Sequence, residues 1–353
     1  MSNELLFIGG FLLFIVLILA LDLGLFSKRE HTISLKQAAI MSFIMVVLAL
    51  SFYLLLVLEG QYLHGIDSYA KLEQIVKAHK HPITLIPGHF EESLMIYKKN
   101  LGIEFLTGYV IEYALSVDNI FVIVLIFSAF AVPEKYYHRV LFWGILGAII
   151  MRFIFIFAGA ALINQFEWIL YVFGAFLVFT GIKMFLSKEE DDKIDTANHP
   201  VVKFASRFFN IHPKYEGKKF FHKVGGKKLL TPLFLVLLIV EFTDLIFAVD
   251  SIPAIFAVTK DPYIVFFSNI YAIMGLRSMF FLLVNIIHKF HYLKTGLACL
   301  LTFIGIKMLG HDYLKLWGFT TGHSLFIILF ILTASIVASL AFPKKNKAIK
   351  KED

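Results

Sequence analysis

The chain has 353 residues, 59% of them hydrophobic and only 17% charged, against roughly 45–50% apolar and about 25% charged in an ordinary soluble domain. A core-and-surface arrangement has no room for 39 Phe at a mean hydropathy of +0.78, which argues against a water-soluble fold and for a polytopic membrane protein. The single cysteine, Cys299, excludes a disulfide framework and a thiolate metal cluster, and a net charge of +7 is what basic loops between membrane spans produce without a nucleic-acid partner.

A hydrocarbon core ~30 Å thick takes about 20 apolar residues per helix. Runs of that kind predict spans at 5–26, 37–58, 101–132, 140–163, 166–186, 232–258, 262–287, 292–309 and 323–342. The runs are continuous instead of alternating at every second residue. The predicted fold class is therefore all-α, a polytopic transmembrane helix bundle of about nine spans, and not a barrel. Residues 1–4 lack the basic stretch of a cleavable signal. With the N-terminus outside, 22 of the 33 Lys and Arg fall in inner segments and seven in outer ones, so the positive-inside rule predicts an outer N-terminus and a cytoplasmic C-terminus.

Six segments follow: two N-terminal spans (1–58), an outer loop (59–99), a first three-helix unit (100–186), a basic cytoplasmic loop (187–230), a second three-helix unit (231–309), and the last span with a basic tail (310–353). The outer loop carries His64, His79, His81 and His89. Metal collection by His79, His81, His89, Glu91 and Glu92 is one reading, and solvated loop residues the expected one. The inner loop ends in a basic stretch with interleaved aromatics, 214–228. Directly before a span this points to anionic lipid more than to RNA, and it lacks the spacing of a phosphate-binding loop.

Two segments nearly coincide: Phe179-Thr-Gly-Ile-Lys-Met-Phe185 and Phe303-Ile-Gly-Ile-Lys-Met-Leu309, 124 residues apart. Upstream, Glu112-Tyr-Ala-Leu-Ser-Val-Asp-Asn119 aligns with Asp244-Leu-Ile-Phe-Ala-Val-Asp-Ser251, and Arg152 with Arg277, at offsets of 132 and 125. Each copy covers three spans, and an odd number inverts the second copy relative to the first, an architecture of transporters with a site near the midplane. The Gly-Ile-Lys-Met motifs are expected to pack helices closely, with Lys183 and Lys307 snorkelling.

Six carboxylates fall within predicted spans: Asp22, Glu112, Asp118, Glu241, Asp244 and Asp250. Each costs ~2.5–3.5 kcal/mol at mid-helix on insertion scales, and two arginines leave four charges for protons or cations to balance. With Thr231 as N-cap and Pro232 first in the helix, Asp244 lies twelve residues in, ~18 Å along the axis and close to mid-membrane. Residues six apart point about 120° apart on a regular helix, so Pro253 is expected to break the helix near Asp250 and turn that carboxylate inward. All 13 His fall in loops or at span ends. The interior therefore offers oxygen ligands, which suit Mn²⁺, Ca²⁺ or Mg²⁺, and titrating carboxylates permit proton exchange.

The motifs Ala20-Leu-Asp-Leu-Gly-Leu-Phe26, Phe105-Leu-Thr-Gly-Tyr-Val-Ile-Glu-Tyr-Ala-Leu-Ser-Val-Asp-Asn-Ile-Phe-Val122, Val240-Glu-Phe-Thr-Asp-Leu-Ile-Phe-Ala-Val-Asp-Ser-Ile-Pro-Ala-Ile-Phe-Ala257 and Ser268-Asn-Ile-Tyr-Ala-Ile-Met-Gly-Leu-Arg277 resemble those of the TerC family, within the LysE-like exporter group. The resemblance implies a family tied to tellurite resistance and alkaline-pH response that includes manganese exporters and a plastid protein of thylakoid assembly. It assigns the metal path to Glu112, Asp118, Asn119, Glu241, Asp244, Asp250 and Ser251, with Asp22 a weaker member. The outer segment 59–99 departs from the compact family form. The resulting expectation is a bacterial inner-membrane exporter of Mn²⁺, without enzymatic activity or a resident cofactor. Arg152 and Arg277 would supply counter-charge, and anionic lipid would contact the basic loops. The alternative is a membrane scaffold assisting assembly or metalation of other proteins. An intramembrane hydrolase is disfavoured because no intramembrane His accompanies a Ser, and a site rich in carboxylates suits tellurite, an anion, poorly.

Overall fold

The computed structural model describes residues 3–26, 34–166, 168–186, 212, 214–224, 227–284 and 292–342. It is an all-α bundle with one small hairpin. In chain order the helices are α1 (Asn3–Phe26), α2 (Leu35–Glu59), α3 (Gln61–His64), α4 (Tyr69–Ala78), α5 (Phe90–Ala129), α6 (Tyr137–Gln165) and α7 (Ile169–Leu186). The antiparallel strands β1 (Phe221–Val224) and β2 (Lys227–Leu230) follow, then α8 (Pro232–Phe256), α9 (Pro262–Leu283), α10 (Leu293–Leu309), α11 (His311–Leu316) and α12 (Thr321–Ala341). Among the described residues, seven helices are long and apolar enough to cross a membrane. The other two expected spans are present as α1, whose apolar part is Leu6–Ala20, and the 17-residue α10.

Ends follow local chemistry. Ser34 and Gln37 form a reciprocal capping box on α2, and Thr320 and His323 form one on α12. Asp261 caps α9 ahead of Pro262. Thr231 occupies the N-cap of α8 but makes no side-chain cap. Its hydroxyl instead donates to the carbonyls of Lys219 and Phe220, tying the hairpin to the helix. The Tyr215 hydroxyl donates to the Phe130 carbonyl at 2.7 Å, and the Arg139 guanidinium lies 4.8 Å from the Phe220 ring centre. Part of the stretch expected to meet lipid is thus folded against the α5–α6 turn; residues 187–211 and the tail from 343 lie outside the described residues.

Helix α9 is the axis of the bundle, buried on every face across its membrane-crossing stretch. Phe11 of α1, Phe52 of α2, and Phe267 and Tyr271 of α9 form an aromatic seam, with Phe105 of α5 5.0 Å from Phe52 and Phe267 4.6 Å from Phe11. Contacts between the two three-helix units come in exchangeable pairs: α5 packs on α9 as α8 packs on α6, while α7 packs on α10, its own counterpart. Gly181 and Gly305, equivalent residues of the two Gly-Ile-Lys-Met motifs, both lie in that last contact. A Cβ at Gly181 would overlap Thr302, and one at Gly305 would come within 2.7 Å of the Gly174 carbonyl oxygen.

Three expectations are corrected. Segment 59–99 is not an open loop: it holds α3, α4 and the first turns of α5, a 40-residue helix, because Glu91, Glu92, Lys98 and Lys99 are sound helix formers outside the apolar window. His81, expected to be solvated, is buried, as is His64. Helix α8 runs unbroken through Asp250 and Pro253. Pro253 sits three residues from the helix end, where it removes one hydrogen bond, and hydrocarbon penalises releasing any more of the backbone.

Substituting Gly305 with Ala is expected to lower stability by about 1–3 kcal/mol, the usual cost of overpacking. Gly9→Ala, at a site with nothing within 4 Å, is expected to cost nothing. Thermal unfolding in detergent, followed by tryptophan fluorescence, checks both.

Candidate functional site

Charges of the acidic motifs gather in two groups. At the centre of the first is Arg152 of α6, with no solvent exposure. Its Nη1 donates to Glu112 Oε1 of α5 and, at 2.5 Å, to Asn269 Oδ1 of α9. Its Nη2 and Nε donate to the two carboxylate oxygens of Asp244 of α8 at 3.2 and 3.4 Å. Asn269 Nδ2 in turn donates to Glu112 Oε2 at 3.1 Å. One guanidinium thus holds two carboxylates from the two repeats. Buried ion pairs of this kind persist only when the remaining hydrogen-bonding capacity is filled, and Asn269 fills it. Glu241, one turn before Asp244, lies against α6 where Gly147 has no side chain; a Cβ there would overlap the carboxylate.

The second group lines a cavity of about 240 Å³ bounded by Leu115, Asn119, Thr180, Lys183, Met184, Phe247, Asp250, Leu297 and Leu301. Asn119 is buried, and Thr180 of α7 donates to Asp250 Oδ1 at 3.4 Å. The cavity draws one oxygen-bearing residue from each copy of the acidic motif. Because α8 is regular, Asp244 and Asp250 splay: one faces Arg152, the other faces α7. They are ~9 Å apart along the axis.

The residues expected from sequence thus divide. Glu112, Asp244 and Arg152 meet directly, and Asn119 and Asp250 meet around the cavity. Ser251 is buried with an unpartnered hydroxyl. Arg277 stands about 12 Å further along α9 than Asn269, with His138 Nε2 at 3.2 Å. Asp22 and Asp118 lie in α1 and α5, and their side chains lie outside the described residues. Asn269 was missed: an amide beside Ser268 on an apolar helix carries no charge signal. Thr180 and Lys183 were read only as part of a packing motif.

Removing the guanidinium in Arg152→Met is expected to leave two buried anions uncompensated and to cost about 3–5 kcal/mol. Adding Glu112→Gln should recover part of that loss, and a double-mutant cycle on unfolding in detergent reads the coupling.

Residues 97–347 match the model of the integral membrane protein TerC family. A membrane protein of Myxococcus xanthus, STKORF319, is 44% identical over 94% of this chain and 91% of its own length. A Salmonella typhi protein provisionally named membrane-bound redox modulator Alx is 44% identical over 93% of this chain and 92% of its own. A membrane protein of Rickettsia bellii is 38% identical over 92% and 93%. No solved structure matches. With the acidic motifs placed in its interior and this family match over most of its length, the chain belongs to the TerC family of integral membrane proteins.

Proposed function

We propose that this protein exports a divalent hard cation, Mn²⁺ foremost, across a bacterial inner membrane, in exchange for protons. The observation that carries the reading is the convergence of Asn119, Thr180 and Asp250 on one interior cavity of about 240 Å³, apart from the carboxylate pair held by Arg152. The polar side chains around the cavity are the oxygen-bearing Asn119, Thr180 and Asp250 with the Lys183 ammonium, and the Met184 thioether also lines it; the three oxygen donors suit Mn²⁺, Mg²⁺ or Ca²⁺. Lys183 lines the same space and supplies positive charge near Asp250 when no cation is bound. Asp118, Glu241 and Ser251 complete the proposed path. Carboxylates that exchange a cation for protons need no further residue type, and rocking of the two inverted three-helix units gives alternating access. The Lys and Arg distribution supports an outer N-terminus, a cytoplasmic C-terminus, and contact between the basic segments and anionic lipid.

The redox wording in one relative's name finds no dithiol here, because Cys299 is the only cysteine. A scaffold that assists assembly or metalation of other proteins is the competing reading.

The test is Mn²⁺ flux in proteoliposomes. The native protein should move Mn²⁺ and acidify or alkalinise the lumen in step; Asp250→Asn and Asn119→Ala should each reduce flux at least tenfold. Absent flux from folded native protein favours the scaffold, and full flux in both variants overturns the assignment of the path to Asn119 and Asp250.

A further inference from the structure

At the end of the bundle that holds the start of α1, side chains from five parts of the chain converge on one carboxylate. Asp261 uses Oδ1 to accept the Tyr263 backbone N–H at 2.9 Å. Its Oδ2 faces two imidazoles, with His64 Nε2 at 2.9 Å and His81 Nε2 at 3.9 Å. Each ring is gripped from the far side by a second carboxylate. His64 Nδ1 lies 3.1 Å from Glu4 Oε1, and His81 Nδ1 lies 3.0 Å from both oxygens of Glu104. Glu104 also accepts from Asn100 Nδ2 at 2.8 Å and Thr259 Oγ1 at 2.7 Å, while the Tyr263 hydroxyl donates to Glu4 Oε2 at 3.2 Å.

A carboxylate on Nδ1 fixes the imidazole so that Nε2 points its lone pair at a metal, the usual outer-shell support of metal-binding histidines. Both rings have Nδ1 held by a carboxylate and Nε2 turned toward Asp261 Oδ2; His64 Nε2 donates to that oxygen and gives up its proton when it ligates a metal. His81 Nε2 is buried without a hydrogen-bond partner, so the site holds a donor atom that the protein itself does not use. His79 supplies a third ring, 4.8 Å from that of His64 and 6.0 Å from that of His81. Donor atoms of His64, His79 and Asp261 lie within 4.8 Å of one another. A tetrahedral ion with bonds of ~2.0–2.1 Å spaces its donors about 3.3 Å apart, so small side-chain movements close the set.

We propose that His64, His79, His81 and Asp261 bind a divalent transition-metal ion of borderline softness, Zn²⁺ in class, with Glu4 and Glu104 orienting the histidines. Imidazole donors separate this site from the oxygen-lined interior, and it lies about 12 Å from the Arg152 cluster along both α5 and α9. Burial opposes charge on His64 and His81, but neighbouring carboxylates, Asp261 first for His64 and Glu104 first for His81, outweigh it and raise both pKa values. A bound cation takes over the role of those protons. Burial lowers the pKa of His79. The site fastens α1 and α3 to α5 and α9, so its occupancy bears on the helices that carry Glu112 and Asn269.

The test uses the full chain, purified in detergent, stripped with a chelator and titrated with Co²⁺ alone. One Co²⁺ per chain should bind with the intense visible bands of a four-coordinate nitrogen and oxygen complex, and Zn²⁺ should displace it. His79→Ala, a partly exposed loop position, and His81→Gln should each weaken binding at least tenfold while eluting as the folded native protein does. Folded native protein without those bands, bands of the weak six-coordinate type, or unchanged binding in His79→Ala would overturn the proposal.

Discussion

Burial of the Arg152 guanidinium is the constraint on which the interior of this bundle depends. An always-charged group with no exposure survives in hydrocarbon only beside anions. Those anions come from α5 and α8, one from each copy of the repeat. The arginine on α6 therefore fixes how the two units meet: Glu112 and Asp244 must face each other across it, and Asn269 of α9 must close the remaining valence. Hydrophobic packing alone does not set that register, because lipid is as apolar as the helix surfaces and offers little preference for helix over lipid. The polar centre supplies specificity, and the close glycine contacts of α7 and α10 supply proximity.

Exchange symmetry extends this logic. Equivalent contacts link α5 with α9 and α8 with α6, yet the charges within them are not equivalent. Arg152 is clamped between two carboxylates, whereas its sequence counterpart Arg277 faces His138 nearer the hairpin end. Matching helix contacts therefore do not carry matching charges: Arg152 is fully buried between carboxylates, and Arg277 has His138 beside it.

The all-α membrane-bundle class and the burial of Glu112 were legible in the sequence, because apolar run length and the cost of an intramembrane charge each act locally. Asn269 and Thr180 were not legible, since neutral polar residues on apolar helices cost little alone and acquire meaning only from their partners. The histidine cluster was hidden for another reason. His64, His81, Glu104 and Asp261 are far apart in the chain, and hydropathy identifies what crosses a membrane without saying which connecting segments fold back. Pro253 misled because position within a helix, not the presence of proline, decides whether a break follows.

The unbroken α8 changes how a cation would meet the acidic motif. Had the helix broken at Asp250, both carboxylates could have entered one site, and any cation there would have competed with a guanidinium. The regular helix instead turns six-residue neighbours to different partners. Asp244 is engaged by two donors of Arg152 and is poorly placed to ligate anything else, while Asp250 meets a hydroxyl and a cavity. Asp244 is free to ligate a cation only once Arg152 releases it. A buried pair that must open is a natural barrier between the two sides of the membrane, and the cation's own charge is what offsets the cost of opening it.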